Sequence, residues 1–213
     1  MRVVRLSALA DLDFLQIGLL LAVLIASLTF HEAAHAWAAD RLGDPTARRL
    51  GRLSLNPLVH IDLIGTVLFP LIAAATGVPL IGWAKPVPVD VRNLMAPRRD
   101  FALVAAAGPA SNLVLAALGA VTFAAVAGDE FGQVEYTVAF FVVMNVMLAI
   151  FNLIPVPPLD GGNILLGVLP HSMVGVVERI RPYGIVVLYG LMFSGLLSRV
   201  TAPVQLGILR WLL

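Results

Sequence analysis

Phe30-His31-Glu32-Ala33-Ala34-His35 lies inside an apolar run from Leu12 to Ala39, and its reading decides how the rest of the chain is read. On a helix, His31 and His35 stand one turn apart, so both imidazoles face the same way, about 6 Å from each other. A single Zn²⁺ spans that gap with bonds of about 2.0–2.1 Å. Glu32 lies beside the pair, placed to act as general base toward a water activated there. In a soluble helix, histidines at this spacing serve packing or the surface as readily as they bind metal. Inside a lipid-length segment, each charged group costs roughly 2.5–3.5 kcal/mol near mid-membrane unless something compensates. A bound metal compensates; a packing role does not.

The remaining composition agrees with a lipid setting. The chain has 213 residues, 60% hydrophobic and 13% charged, with a mean hydropathy of +0.94. That is more apolar surface than a soluble core uses, so an integral membrane protein is expected, with residues 1–213 as a single intramembrane domain and no appended soluble module. A net charge of +1 without any basic run speaks against nucleic acid as a partner. With no cysteine there is no disulfide and no thiolate ligand, so a zinc site must be built from histidine and carboxylate. Arg2 and Arg5 ahead of the apolar run, with Ala36-Trp37-Ala38 behind it, have the layout of a secretory signal. The run is too long for one, and its His and Glu sit where a signal stays apolar; an uncleaved helix is expected.

The expected fold is an all-α polytopic membrane protein. It has about four spanning helices (about 12–40, 101–127, 134–154 and 183–198), a re-entrant segment at about 62–82, and short β-strands on the cytoplasmic side. The strands are expected at Arg52-Leu53-Ser54-Leu55-Asn56, which alternates with period two before Pro57, and at the extended opening Lys85-Pro86-Val87-Pro88-Val89 of the next connection. Both connections are basic, carrying Arg41, Arg48, Arg49 and Arg52 in the first and Lys85, Arg92, Arg98 and Arg99 in the second. If the intervening stretch spanned fully, they would fall on opposite faces, against the positive-inside tendency. Gly65, Pro70, Gly77 and Pro79 suit a path that dips in and returns, which keeps both connections cytoplasmic and the Asp129-Glu130 turn outside. Residues beyond 198 are expected in the interface. Trp37, Trp83 and Trp211 read as interfacial anchors, and Arg98, Arg99, Arg179 and Arg181 as cytoplasmic ones.

A hydrolytic zinc usually keeps three protein ligands and one open position. The strongest candidate for the third is Asp160, which follows Pro155, Pro157 and Pro158 and precedes Gly161 and Gly162. The same pattern also describes an ordinary surface turn. Topology offers an independent check. With a re-entrant segment, Asp160 arrives at the same end as the histidines; with a full span it emerges some 20 Å away, across a bilayer about 30 Å thick. Zn²⁺ with ionised Asp160 and Glu32 and two neutral imidazoles sums to zero charge, which eases burial.

Together, His31-Glu32-Ala33-Ala34-His35, Gly108-Pro109-Ala110-Ser111-Asn112 and the run from Asn152 through Asp160-Gly161-Gly162 resemble the site-2 protease family of intramembrane zinc metalloproteases. Asn56-Pro57-Leu58-Val59-His60-Ile61-Asp62 is similar to a compact bacterial or archaeal branch without PDZ-like or nucleotide-sensing CBS modules. The resemblance implies one zinc per chain held by His31, His35 and Asp160, with Glu32 as catalytic base and acid. It also implies that Asn152 contacts the substrate backbone or the developing oxyanion. Substrates would be transmembrane-helix proteins, unwound before attack and captured along an edge at Arg52–Asn56 or Pro86–Val91. Two other readings of the same residues are a membrane cation transporter and a catalytically silent zinc-bearing scaffold. His60 reads either as a gate or ligand-supporting group or as a loop histidine, and His171 as interfacial. Asn112 reads either as orienting a ligand or substrate or, with Gly108, as close helix packing.

Overall fold

A proline-free apolar run makes the first long helix, α1 (Phe14–Arg41). At 1.5 Å per residue its 28 residues reach about 42 Å, enough to cross a bilayer. After a short α2 (Thr46–Arg49), a π-helical turn at Leu63–Leu68 runs into α3 (Phe69–Thr76). Then come α4 (Pro97–Val126), α5 (Gln133–Asn152), α6 (Asp160–Val168), α7 (His171–Ile180), α8 (Gly184–Phe193) and α9 (Leu196–Leu212). The computed structural model describes residues 14–76, 78, 81–128 and 132–213. Arg2, Arg5, Gly77, Pro79 and the Asp129-Glu130 turn lie outside the described residues.

Helices α1, α4 and α5 are each long and apolar enough to span. They pack closely because small residues line their contacts: Ala36 and Ala39 on α1, Ala105, Gly108 and Ala116 on α4, and Ala149 on α5 are all buried. At Gly119 of α4, a Cβ would come within 2.9 Å of the Phe141 and Val142 side chains of α5. Helix α4 opens with Pro97 in its first turn, and Asp100 accepts a hydrogen bond from the Ala96 amide at 2.7 Å.

The segment between the two connections turns back. The Trp83 amide donates to Gly65 O at 3.2 Å, and Thr66 Oγ1 donates to Trp83 O at 2.8 Å. A Cβ on Gly65 would sit 2.4 Å from the Trp83 ring, so the two ends touch as only glycine permits. Trp83 therefore closes this hairpin. Side chains then stitch the two connections together. The buried Asp44 carboxylate accepts from Asn93 Nδ2 at 2.9 Å and from the Asp90 amide at 2.8 Å, and Arg52 Nη2 donates to Lys85 O at 2.5 Å. Burial pushes the Asp44 carboxyl up, but hydrogen bonds from Thr46, Asn93 and the Asp90 amide outweigh it and hold the group below its ordinary value.

Two expectations need correction. Among the described residues no β-strand forms. Residues 52–56 wind through bends because side chains claim the backbone: His60 Nε2 donates to Ser54 O at 2.8 Å, and Asn56 Oδ1 accepts from the Leu58 amide at 3.1 Å. Residues 83–90 run without a ladder partner. The second correction concerns the last span. Apolar residues continue through 183–198, but Gly195 adopts a left-handed φ of +71° and ends α8 after ten residues, about 15 Å. The helical run His171–Phe193 and α9 meet at 75°, so three helices are long and apolar enough to span, or four if this bent pair is one span. Helix α9 is docked on the bundle. Ile208, Leu209 and Leu212 pack on the α4–α5 cluster of Ala116, Ala120, Val142 and Val146.

Candidate metal centre

Ser27, His31 and His35 recur every four residues on one buried face of α1, turned toward α4 and α5. Asp160 enters from the first turn of α6. His31 Nε2 and His35 Nε2 are 3.1 Å apart, and Asp160 Oδ2 lies 3.2 and 3.3 Å from them. With the Gly65–Trp83 hairpin closed, Asp160 lies at the histidine end. It is held there by the turn the glycines suggested: a Cβ on Gly161 would meet Ile154 O at 2.3 Å, and one on Gly162 would meet Pro157 N at 2.6 Å.

The donor set fits zinc on its own geometry. Atoms at the corners of a tetrahedron with bonds of about 2.0–2.1 Å lie about 3.3–3.4 Å apart, close to the three separations found here. The other nitrogen of each ring is already committed. His35 Nδ1 donates to Val104 O at 2.7 Å, and His31 Nδ1 meets Asn112 Oδ1 at 2.6 Å. A backbone carbonyl only accepts, so the His35 proton is on Nδ1 and the Nε2 lone pair faces the centre. Asp160 Oδ2 is buried and makes no hydrogen bond among the described residues. An unmet buried acceptor costs roughly 1–3 kcal/mol, a cost a cation at this point removes. Gly108 makes the room: a Cβ there would sit 2.3 Å from His35 Nε2 and 2.6 Å from His31 Cε1. What reads in the sequence as helix packing is a cradle for two imidazoles.

Glu32 is buried beside the pair, and its Oε2 accepts from the Val87 amide at 3.1 Å. His31, Glu32, His35, Asn152 and Asp160 line one cavity of about 510 Å³, walled also by Phe151. Asn152, the last residue of α5, lines that cavity while its Nδ2 donates to Leu148 O at 3.0 Å. Asn112 contacts His31 Nδ1, the contact that a ligand-orienting role requires. His60 is buried in the loop before the hairpin, its Nε2 donating to Ser54 O at 2.8 Å and its backbone O accepting from the Lys85 amide at 2.8 Å, and it does not line this cavity. His171 is exposed at the start of α7. Arg98 donates to Leu166 O and Leu169 O, closing the C-terminal end of the helix that carries Asp160. Ser27 and Asn145 were not singled out from the sequence. Their signal is polarity within apolar spans, which marks a buried role without naming a partner.

A model of peptidase family M50 matches residues 127–195, which include Asn152 and Asp160. YwhC of Bacillus subtilis (strain 168), named as a zinc metalloprotease, is 39% identical over 194 residues, covering 86% of this chain and 84% of that protein. The chain belongs to peptidase family M50, the site-2 protease family. Rip2 of Mycolicibacterium smegmatis, also named as a zinc metalloprotease, is 30% identical over 182 residues, 85% of this chain and 69% of Rip2. No solved structure matches the chain significantly. This M50 protein is a membrane zinc metalloprotease, which sets the enzyme ahead of the transporter and the silent scaffold.

Proposed function

We propose that this M50 protein is an intramembrane endopeptidase that cuts the transmembrane segments of membrane-protein substrates, as in regulated intramembrane proteolysis. Its place is the cell membrane, with the centre toward the cytoplasmic side and residues 1–213 acting as one domain. The observation that carries this reading is the single cavity, set among helices long enough to span, that gathers Glu32 with His31, His35 and Asp160. The stitched connections, rich in arginine, support a cytoplasmic placement.

Zinc held by His31, His35 and Asp160 would polarise the scissile carbonyl and acidify water. Glu32 takes the proton from the attacking water and returns it to the leaving nitrogen, a role worth about 10²–10⁴ in rate. To do so it exchanges the Val87 amide for that water. Asn152 turns from Leu148 O toward the substrate backbone, giving up a hydrogen bond worth about 1 kcal/mol net. The amides of Trp83, Lys85 and Val87 all face the protein, bonded to Gly65 O, His60 O and Glu32. Residues 84, 86 and 88 turn the other way in an extended chain. Two of them are proline, so that edge offers an unwound substrate carbonyls rather than a full ladder.

The test is incubation in vesicles with a panel of single-helix membrane substrates, wild type beside Glu32→Gln, with fragment masses read out. Wild type should yield fragments cut within the apolar segment, and Glu32→Gln should yield none while retaining zinc. Equal fragments from both, or none from either across the panel, would overturn the reading.

A further inference from the structure

Three helices meet at a chain of buried amides behind the metal centre. Asn145 of α5 contacts none of the ligands, yet both it and Asn112 of α4 are fully buried. We propose that Asn145, seated on Ser27, is a positioning residue that acts through Asn112 to fix which nitrogen of His31 faces the centre.

The relay is anchored on groups that can only accept. Asn145 Nδ2 donates to Phe141 O at 2.9 Å and to Ser27 Oγ at 2.9 Å, which uses both of its hydrogens. Because a backbone carbonyl cannot donate, the amide nitrogen must lie on that side, and Asn145 Oδ1 must point to α4. There it accepts from Asn112 Nδ2 at 2.8 Å. Asn112 Nδ2 also leans on Ser27 O at 3.4 Å, a second acceptor-only group. Asn112 Oδ1 is thereby turned to His31 Nδ1, 2.6 Å away, and can only accept from it. The proton of His31 is therefore on Nδ1, and the Nε2 lone pair faces Asp160 and His35. Were Asn112 turned over, its NH₂ would meet Nδ1 and drive the proton to Nε2, into the space between the ligands. The α5 backbone thus sets the tautomer of a histidine on α1, two side chains away.

A purely structural role would look different. Hydrogen bonds between membrane helices contribute weakly to association and have no reason to alter metal affinity. Partners that orient a ligand typically change it about 10–100-fold. The proposal rests on the zinc-site reading of His31, His35 and Asp160, and the measurement separates the two.

Zinc affinity of the full chain in detergent is measured by competition with a chromophoric chelator. The variants are Asn145→Leu, Asn112→Leu, their double variant, Ser27→Ala, and Val146→Ala as a packing control, with thermal unfolding in parallel. Asn145→Leu should weaken zinc binding about tenfold or more. The double variant should be no weaker than Asn112→Leu alone, because Asn145 acts only through Asn112. Val146→Ala, fully buried on the same helix, should lose stability and keep its affinity. Ser27→Ala should weaken binding to a smaller degree, and it carries the test if Asn145→Leu does not fold. Wild-type affinity in both Asn145→Leu and Ser27→Ala, or fold-changes that multiply in the double variant, overturn the proposal and leave the zinc site standing. A wild-type chain that binds no zinc overturns both.

Discussion

On the imidazole side of the metal centre, His31 and His35 are locked by directed hydrogen bonds inside three long helices. On the carboxylate side, Asp160 rides on a turn held by close backbone contact: Gly161 against Ile154 O, Gly162 against Pro157, and Gly184 of α8 so near Pro157 O that a Cβ would lie 1.7 Å from it. The first wall is specified by which atom carries a hydrogen, the second by which residues lack a side chain. A fault in the first should appear in metal affinity with the fold intact. A fault in the second should appear in fold and affinity together.

The largest effect expected is loss of a ligand from either wall. His35→Ala and Asp160→Ala should each reduce zinc from one per chain to trace levels, beyond the roughly 100-fold cost of disturbing a supporting residue, as read by elemental analysis. One zinc per chain in either variant would remove that residue from the ligand set. Next come two glycines that set the walls apart. Gly108→Ala pushes a carbon into both imidazoles and should weaken zinc binding about 10–100-fold, the equivalent of roughly 1–3 kcal/mol of overpacking. Gly184→Ala should lower thermal stability first and zinc binding with it; a stable Gly184→Ala chain with normal zinc would show that α8 does not seat the Asp160 turn.

A smaller effect is expected at Arg98. Arg98→Met removes the guanidinium from Leu166 O and Leu169 O and should cost about 2 kcal/mol of stability, measured by denaturation in detergent. Smallest is an acid-side effect at the stitched connections. Asp44 is held below its ordinary value of 3.8, so its stabilisation is fully present above that value and is lost as pH falls through the lowered one. Asp44→Asn should flatten the fall in stability below about pH 4 and leave zinc affinity at neutral pH unchanged. An unchanged acid slope would mean that the Asp44 contacts to Asn93 and Asp90 contribute nothing.

The meeting of His31, His35 and Asp160 and the three long apolar helices were legible in the sequence because each carries its own evidence. Two histidines four apart share a helix face whatever surrounds them, and some twenty consecutive apolar residues have few other uses, even where Pro109 interrupts α4. The hairpin at 62–83 was legible indirectly, through the distribution of arginines. The amide relay was not, since Asn145 and Ser27 are 118 residues apart and an isolated polar letter in an apolar run does not say what it faces. Gly108 was visible as a point of close approach, but not what approaches. The alternation at Arg52–Asn56 suggested a strand, yet pairing needs a neighbour, and here His60 and Asn56 take the backbone groups first. Hydropathy runs smoothly through 183–198, whereas a single backbone angle at Gly195 decides where the helix stops.

Because the hairpin between Gly65 and Trp83 ends where it began, it leaves the parity of the chain untouched. Between His35 and Asp160 the polypeptide traverses its three-helix frame twice, down α4 and back along α5, an even number. The loop may grow, shrink or change its letters without separating the ligands, provided its ends stay joined. Straightening it into one more traverse would make the count odd and strand the carboxylate across the bilayer.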